Sequence, residues 1–199
     1  MMINKISTFI SSEFVKHDII SEDAKNIYKY GIEITVSSII GFIIVSIIGL
    51  LFNSLPQTIM FYFIFILLRS LTGGYHAKTY LKCNLIFGIV TFFVIVFSKS
   101  VYSMQISINV ITFLFLPSVA IFIWLAPVEN INKPIEMNKR VYYKIISVII
   151  SVLLYILSIL LYINQHIFEA SVITMTVFAV SMLCMMTLIQ KGGKINGKS

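Results

Sequence analysis

The sequence predicts an all-α, polytopic integral membrane protein of about six apolar helices, preceded by an amphipathic helix that lies on the membrane surface. Three observations predict it. The 199-residue chain is 58% hydrophobic and 12% charged, with a mean hydropathy of +0.96, whereas soluble domains carry roughly a quarter charged residues. Its apolar residues fall into runs near 31–52, 55–71, 82–98, 106–126, 141–163 and 167–189, and about 20 helical residues cross a hydrocarbon layer of about 30 Å. Its Lys and Arg gather in alternate connections, as the positive-inside rule requires of a chain that crosses repeatedly.

The first segment, 1–20, is too short to span. Ile3, Ile6, Ile10, Phe14 and His17 share one side of a helical wheel while Lys5 and Lys16 lie opposite, the pattern of a helix in the interface plane. It lacks the continuous apolar core and small-residue cleavage site of a secretory signal, so it is expected to be retained. Ser21 followed by Glu22 and Asp23 reads as an N-cap with first-turn acids, starting the helix that becomes the first span. The unbroken apolar parts of the second and third spans, Leu55 to Leu68 and Leu85 to Phe97, are short, so these two either cross with help from flanking polar residues or dip in and return. Pro117 falls inside the fourth span, where it predicts a kink. No repeat or low-complexity linker divides the chain: 1–199 reads as one domain, with a helical bundle over 21–189 and a basic tail at 190–199.

Orientation follows from the charges. Lys5, Lys16, Lys25 and Lys29 precede the first span; Arg69, Lys78 and Lys82 lie between the second and third; Lys133, Lys139 and Arg140 lie between the fourth and fifth; Lys191, Lys194 and Lys198 follow the sixth. The intervening connections carry Lys99 or nothing, so both termini and the 69–83 segment are expected on the cytoplasmic side. The net charge of +7 does not indicate nucleic acid, because the basic residues are dispersed between apolar runs. Two cysteines in separate segments make neither a disulfide framework nor a zinc pattern, and no metal or other cofactor is expected.

The chemistry concentrates in "RSLTGGYHAKTYLKC", residues 69–83. Gly73 and Gly74 permit backbone angles closed to other residues, so the second helix is expected to end there in a turn or a tight backbone approach. His76 and Cys83 follow, seven residues apart. On one straight helix they would share a face about 10.5 Å apart along the axis, too far for a hydrogen bond. A direct pair therefore needs a bend, with His76 in the turn after Gly74 and Cys83 early in the third span. A His beside a Cys is the minimal arrangement for a thiolate nucleophile; without it, a buried Cys is ordinarily an inert small hydrophobe and a boundary His an interfacial residue. Arg69 reads either as an anion-binding group or as a cation snorkelling to the headgroups.

Among the other polar residues, Cys184 in the last span reads as packing, His166 as an exposed loop residue, Glu169 as a group in the outer headgroups, and Glu33 as an orienter of His76 or a helix cap. The middles of all six spans lack charge, which weighs against a small transporter or channel, a class that places ionisable groups near mid-membrane. A non-catalytic membrane scaffold is the other alternative. No strong small-xxx-small dimer motif stands out within the spans.

The pattern R-x-x-x-G-G-Y-H-A-x-x-x-x-x-C resembles the signature of the AgrB family, bacterial membrane endopeptidases that process AgrD precursors of cyclic quorum-sensing peptides. Chain length, six apolar segments, the amphipathic N-terminus and a later "APVENINKP" loop agree with that likeness. It implies His76 as catalytic histidine and Cys83 as nucleophile, with Arg69, Gly73 and Gly74 supporting the site. It implies further a thioester acyl-enzyme resolved by cyclisation to a thiolactone or lactone, an AgrD-like precursor as partner, a homodimer, and residence in the bacterial cell membrane. The substrates it implies end in an acidic tail, which Lys78, Lys82, Lys133, Lys139 and Arg140 would attract across roughly a Debye length of 8 Å. Plain topology would also place those charges there. Backbone N–H groups around the Gly73-Gly74 turn are the expected oxyanion donors.

Overall fold

A computed structural model describes residues 2–73, 79–105, 107–128 and 137–196. Every regular element among them is a helix, which is what a chain in lipid requires, since a helix satisfies its own backbone. The order is α1 (Met2–Lys16), a 3-10 turn (Glu22–Ala24), α2 (Lys25–Leu51), α3 (Leu55–Thr72), α4 (Tyr80–Ser103), α5 (Ile108–Leu125), α6 (Met137–Ile163) and α7 (Ile167–Asn196). Six of these are long and apolar enough to cross a membrane. Their outward faces carry exposed Ile, Leu and Phe, such as Leu51, Phe63, Leu81, Phe113 and Leu153, the surface expected against acyl chains.

The sequence boundaries need several adjustments. α1 stops at Lys16, and it is seated on α2 by Ser7 and Ser11, both fully buried, while Ile6 and Phe9 stay exposed. Ser21 does occupy the N-cap of the 3-10 turn, but its side chain makes no capping hydrogen bond. α4 runs on to Ser103, beyond the expected 82–98, and α7 continues as helix to Asn196, so most of the basic tail prolongs the last span.

Caps follow local sequence. Pro56 sits in the first turn of α3, where its missing N–H costs nothing. Thr79 caps α4, its Oγ1 accepting from the Lys82 amide; Ser107 does the same for α5 from the Asn109 amide. Pro117 lies inside α5 as expected.

α7 is the central helix. Its apolar stretch is 67% buried inside the protein, against 17–33% for the other five, and it packs against α3, α4, α5 and α6. Small and hydroxylated residues allow this close approach: Ala170, Thr174, Val177, Ser181 and Cys184 are all buried. Their hydroxyls are satisfied on their own helix, Thr174 donating to the Ala170 carbonyl at 2.9 Å and Thr187 to that of Leu183 at 3.0 Å. α6 presents a matching stripe of fully buried Ser147, Ser151 and Ser158. Ser158 Oγ lies 3.1 Å from both the Ala170 carbonyl and Thr174 Oγ1. The small-residue spacing of Ser147 and Ser151, passed over in the sequence reading, thus serves packing within the chain.

α2 and α4 run parallel in a fixed register. Tyr80 donates to Glu33, Ser37 to Asn84, and Lys99 Nζ to the Phe52 carbonyl, each pair 47 residues apart. From Glu33 to Phe52 the paired stretch covers about 28 Å at 1.5 Å per residue. The third span therefore accompanies the first over a length close to that of a crossing helix.

Candidate active site

The end of α3 is built around Gly73. Its amide donates to the Arg69 carbonyl at 3.1 Å, and its φ of +67° lies in the left-handed region that favours glycine. Its carbonyl accepts from Arg69 Nη1 at 2.9 Å, with Thr72 Oγ1 at 3.4 Å and Cys184 Sγ at 4.0 Å. A parallel bridge joins Gly73 to Val128, and the Val128 amide donates to the Thr72 carbonyl at 2.8 Å. A Cβ at position 73 would stand 2.2 Å from the Val128 carbonyl oxygen. Positive φ and close approach both demand glycine here, as the sequence anticipated; the partner in that approach, the "APV" segment after α5, was not foreseen.

Arg69 is therefore committed to shaping the turn. Its guanidinium ties the α3 C-terminus to Gly73 and also lies within electrostatic reach of both Cys83 and Cys184. Cys184 is fully buried, as the packing reading required, but it abuts the Gly73 carbonyl. The Gly73 amide, proposed from sequence as an oxyanion donor, is already used by Arg69.

Cys83 is half-buried in the first turn of α4, its amide donating to the Thr79 carbonyl at 3.0 Å. The amides of α4 ahead of Cys83 have no helical carbonyl before them, that of Lys82 being met by Thr79 Oγ1, and the helix dipole there favours negative charge. Two contacts to α2 bracket Cys83: Tyr80 Oη donates to Glu33 Oε2 at 2.9 Å, and Ser37 Oγ to Asn84 Oδ1 at 3.0 Å. Glu33 thus holds the helix that bears Cys83 through Tyr80. Nothing in the sequence signalled that pairing, because only the fold brings residues 47 apart together.

Gly74, His76, Lys78 and Lys133 lie outside the described residues, and so does the expected His76–Cys83 contact. Lys82 is exposed beside Cys83, and Lys139 and Arg140 are exposed at the start of α6. At the other end of the bundle, His166 is exposed as expected, while Glu169 accepts from Gln57 Nε2 at 2.8 Å and so links α7 to α3. No group of His, Cys, Asp or Glu suited to a metal ion occurs among the described residues.

The family model for accessory gene regulator B, AgrB, matches residues 3–188. The chain belongs to the AgrB family. A putative AgrB-like protein of Clostridium perfringens is 31% identical over 70% of this chain and 67% of its own length. One from Clostridium beijerinckii is 33% identical over 74% and 73%. Protein FsrB of Enterococcus faecalis is 31% identical over 54% of this chain and 44% of its own length. No solved structure matches. The chain is thus a multi-pass membrane protein of the AgrB family, involved in accessory gene regulation and quorum sensing.

Proposed function

We propose that this AgrB-family protein is a membrane cysteine endopeptidase that removes the C-terminal tail of an AgrD-like quorum-sensing precursor and promotes closure of the remaining core into a ring. The observation that carries the reading is the position of Cys83: a half-buried thiol in the first turn of α4, at the end of the segment that also holds His76.

In this reading His76 takes the Cys83 proton and the sulfur attacks the carbonyl carbon at the ring–tail junction. The oxyanion is met by backbone amides near the start of α4 other than those of Lys82 and Cys83, which Thr79 already accepts. The C–N bond breaks, His76 returns the proton to the leaving amine, and the core stays on Cys83 as a thioester. A Cys or Ser side chain of the same core, losing its proton to His76, then attacks the thioester carbonyl, expelling the Cys83 thiolate and giving a thiolactone or lactone. The thioester keeps the acyl group activated for transfer to the core's own side chain, so ATP is not consumed. Exclusion of water at the membrane boundary favours cyclisation over hydrolysis.

The site and both termini face the cytoplasm in this account. Lys78, Lys82, Lys133, Lys139 and Arg140 draw in an acidic tail, and the protein works as a homodimer in the bacterial cell membrane. The deciding experiment is tail release from the synthetic precursor encoded beside this gene, in proteoliposomes. Cys83→Ala and His76→Ala are each expected to lower release by roughly a thousand-fold or more. Release by Cys83→Ala within ten-fold of the parent would refute the reading.

A further inference from the structure

Among the described residues Glu33 is the one charged side chain counted in the buried interior, at 9% exposure. Burying a carboxylate is unfavourable unless its oxygens are met, and an apolar residue of similar volume would pack at least as well. Both of its oxygens are met, by different helices. Ser7 Oγ on α1 lies 3.0 Å from Oε1, and Tyr80 Oη on α4 donates to Oε2 at 2.9 Å. Ser7 is also 3.0 Å from the Asn4 carbonyl, so its single proton is shared, and the contact holds α1 at one register on α2.

The line Ser7–Glu33–Tyr80 runs from the N-terminal helix to the first turn of the helix that bears Cys83. One turn further along, Ser37 and Asn84 repeat the α2–α4 contact on the far side of the cysteine. The start of α4 is thereby fixed from α2, and its Tyr80 end is fixed by a carboxylate that α1 also holds. The hydroxyl of Tyr80, three residues before Cys83, has its acceptor on this carboxylate rather than on a group of its own helix.

We infer that Glu33 is a positioning residue through which the seating of α1 on α2 sets the placement of Cys83. The consequence for catalysis rests on the endopeptidase reading; the mechanical link does not. Displacing a reacting group by about 1 Å can cost on the order of a hundred-fold in rate, so loss of either contact is expected to slow the chemical step and spare precursor binding.

The test uses the full-length protein in lipid nanodiscs, with Ser7→Ala, Tyr80→Phe, Glu33→Gln and Glu33→Ala, each required to keep the parent's thermal midpoint and gel-filtration profile. Two quantities are read: the rate of maleimide labelling of Cys83, assigned by peptide mass, and the kcat and KM for tail release. Ser7→Ala and Tyr80→Phe are each expected to shift the labelling rate in the same direction by about three-fold or more, and to lower kcat by about ten-fold with KM unchanged. In the Glu33→Ala background neither is expected to add more than about two-fold, because both act through the missing carboxylate. Glu33→Gln, which keeps one carbonyl acceptor, is expected to fall between parent and Glu33→Ala.

An unchanged labelling rate in Ser7→Ala, or effects that multiply in the Glu33→Ala background, would overturn the proposal. If Cys83→Ala itself still released the tail, the endopeptidase reading would fall, and the labelling rates would decide the link between α1 and α4 on their own.

Discussion

Gly73 and Gly31 carry opposite requirements although both are glycines at the same end of the bundle. A methyl group at 73 meets the Val128 carbonyl at 2.2 Å on a backbone of positive φ, whereas one at 31 meets nothing within 4 Å. Gly73→Ala is therefore expected to destabilise the protein by more than about 1 kcal/mol and to lower tail release, because the backbone at position 73 must shift away from Val128. Gly31→Ala, on an open helical position, is expected to stabilise by up to about 1 kcal/mol. Thermal unfolding in detergent measures both; equal effects of the two substitutions would contradict the close approach at Gly73. The glycine's need for freedom was legible from "GG" at the end of an apolar run. Its neighbour was not, because Val128 is brought there by the return of α5, and sequence spacing carries no trace of that contact. Arg69 shows the same limit. Its unusual place near the end of a span was evident, but only the folded turn shows its donation to the Gly73 carbonyl.

At the scale of elements, the bundle depends on how closely α6 and α7 approach. Ser158 fits between the Ala170 carbonyl and Thr174 Oγ1 at 3.1 Å from each. Interhelical hydrogen bonds in membranes average about 0.6 kcal/mol, so Ser158→Ala is expected to lower stability by about that much. Ser158→Leu must push the helices apart and is expected to cost several-fold more, about 1–3 kcal/mol as overpacking. Similar losses for the two would show that this contact is not a close one. The helices themselves were largely readable, since each is an apolar run of crossing length bounded by polar residues. What pattern could not give was rank. α6 and α7 both read as ordinary spans, yet α7 is the hub and α6 lies at the periphery with most of its apolar stretch toward lipid. Serines and threonines that look like interruptions in an apolar run prove to be the surface along which helices meet.

For the molecule as a whole, parallel packing of α2 and α4 with a constant offset of 47 residues places Tyr80 and Lys25 at one end, and Phe52 and Lys99 at the other. Charge alternation along the sequence gave the same arrangement, because topology follows loop charge and needs no knowledge of packing. A membrane-impermeant maleimide applied outside intact cells is expected to label a cysteine at Asn53 or Gln165 and to leave one at Ser21 unlabelled, in a background lacking Cys83 and Cys184. Labelling at Ser21 would reverse the orientation and place Cys83 outside. The candidate site was legible as a motif and less so as an assembly. The sequence marks His76 and Cys83, while the carboxylate at position 33 and its tyrosine are joined only by the fold. In the proposed reaction Cys83 carries the precursor core, freed of its tail, as a thioester. The intact mass of the protein mixed with its precursor and quenched in acid tests this step directly. The expected result is an added mass equal to the precursor without its tail, removed by hydroxylamine and absent in Cys83→Ala. Tail release at the parent rate with no such adduct, or an adduct that survives in Cys83→Ala, would contradict it.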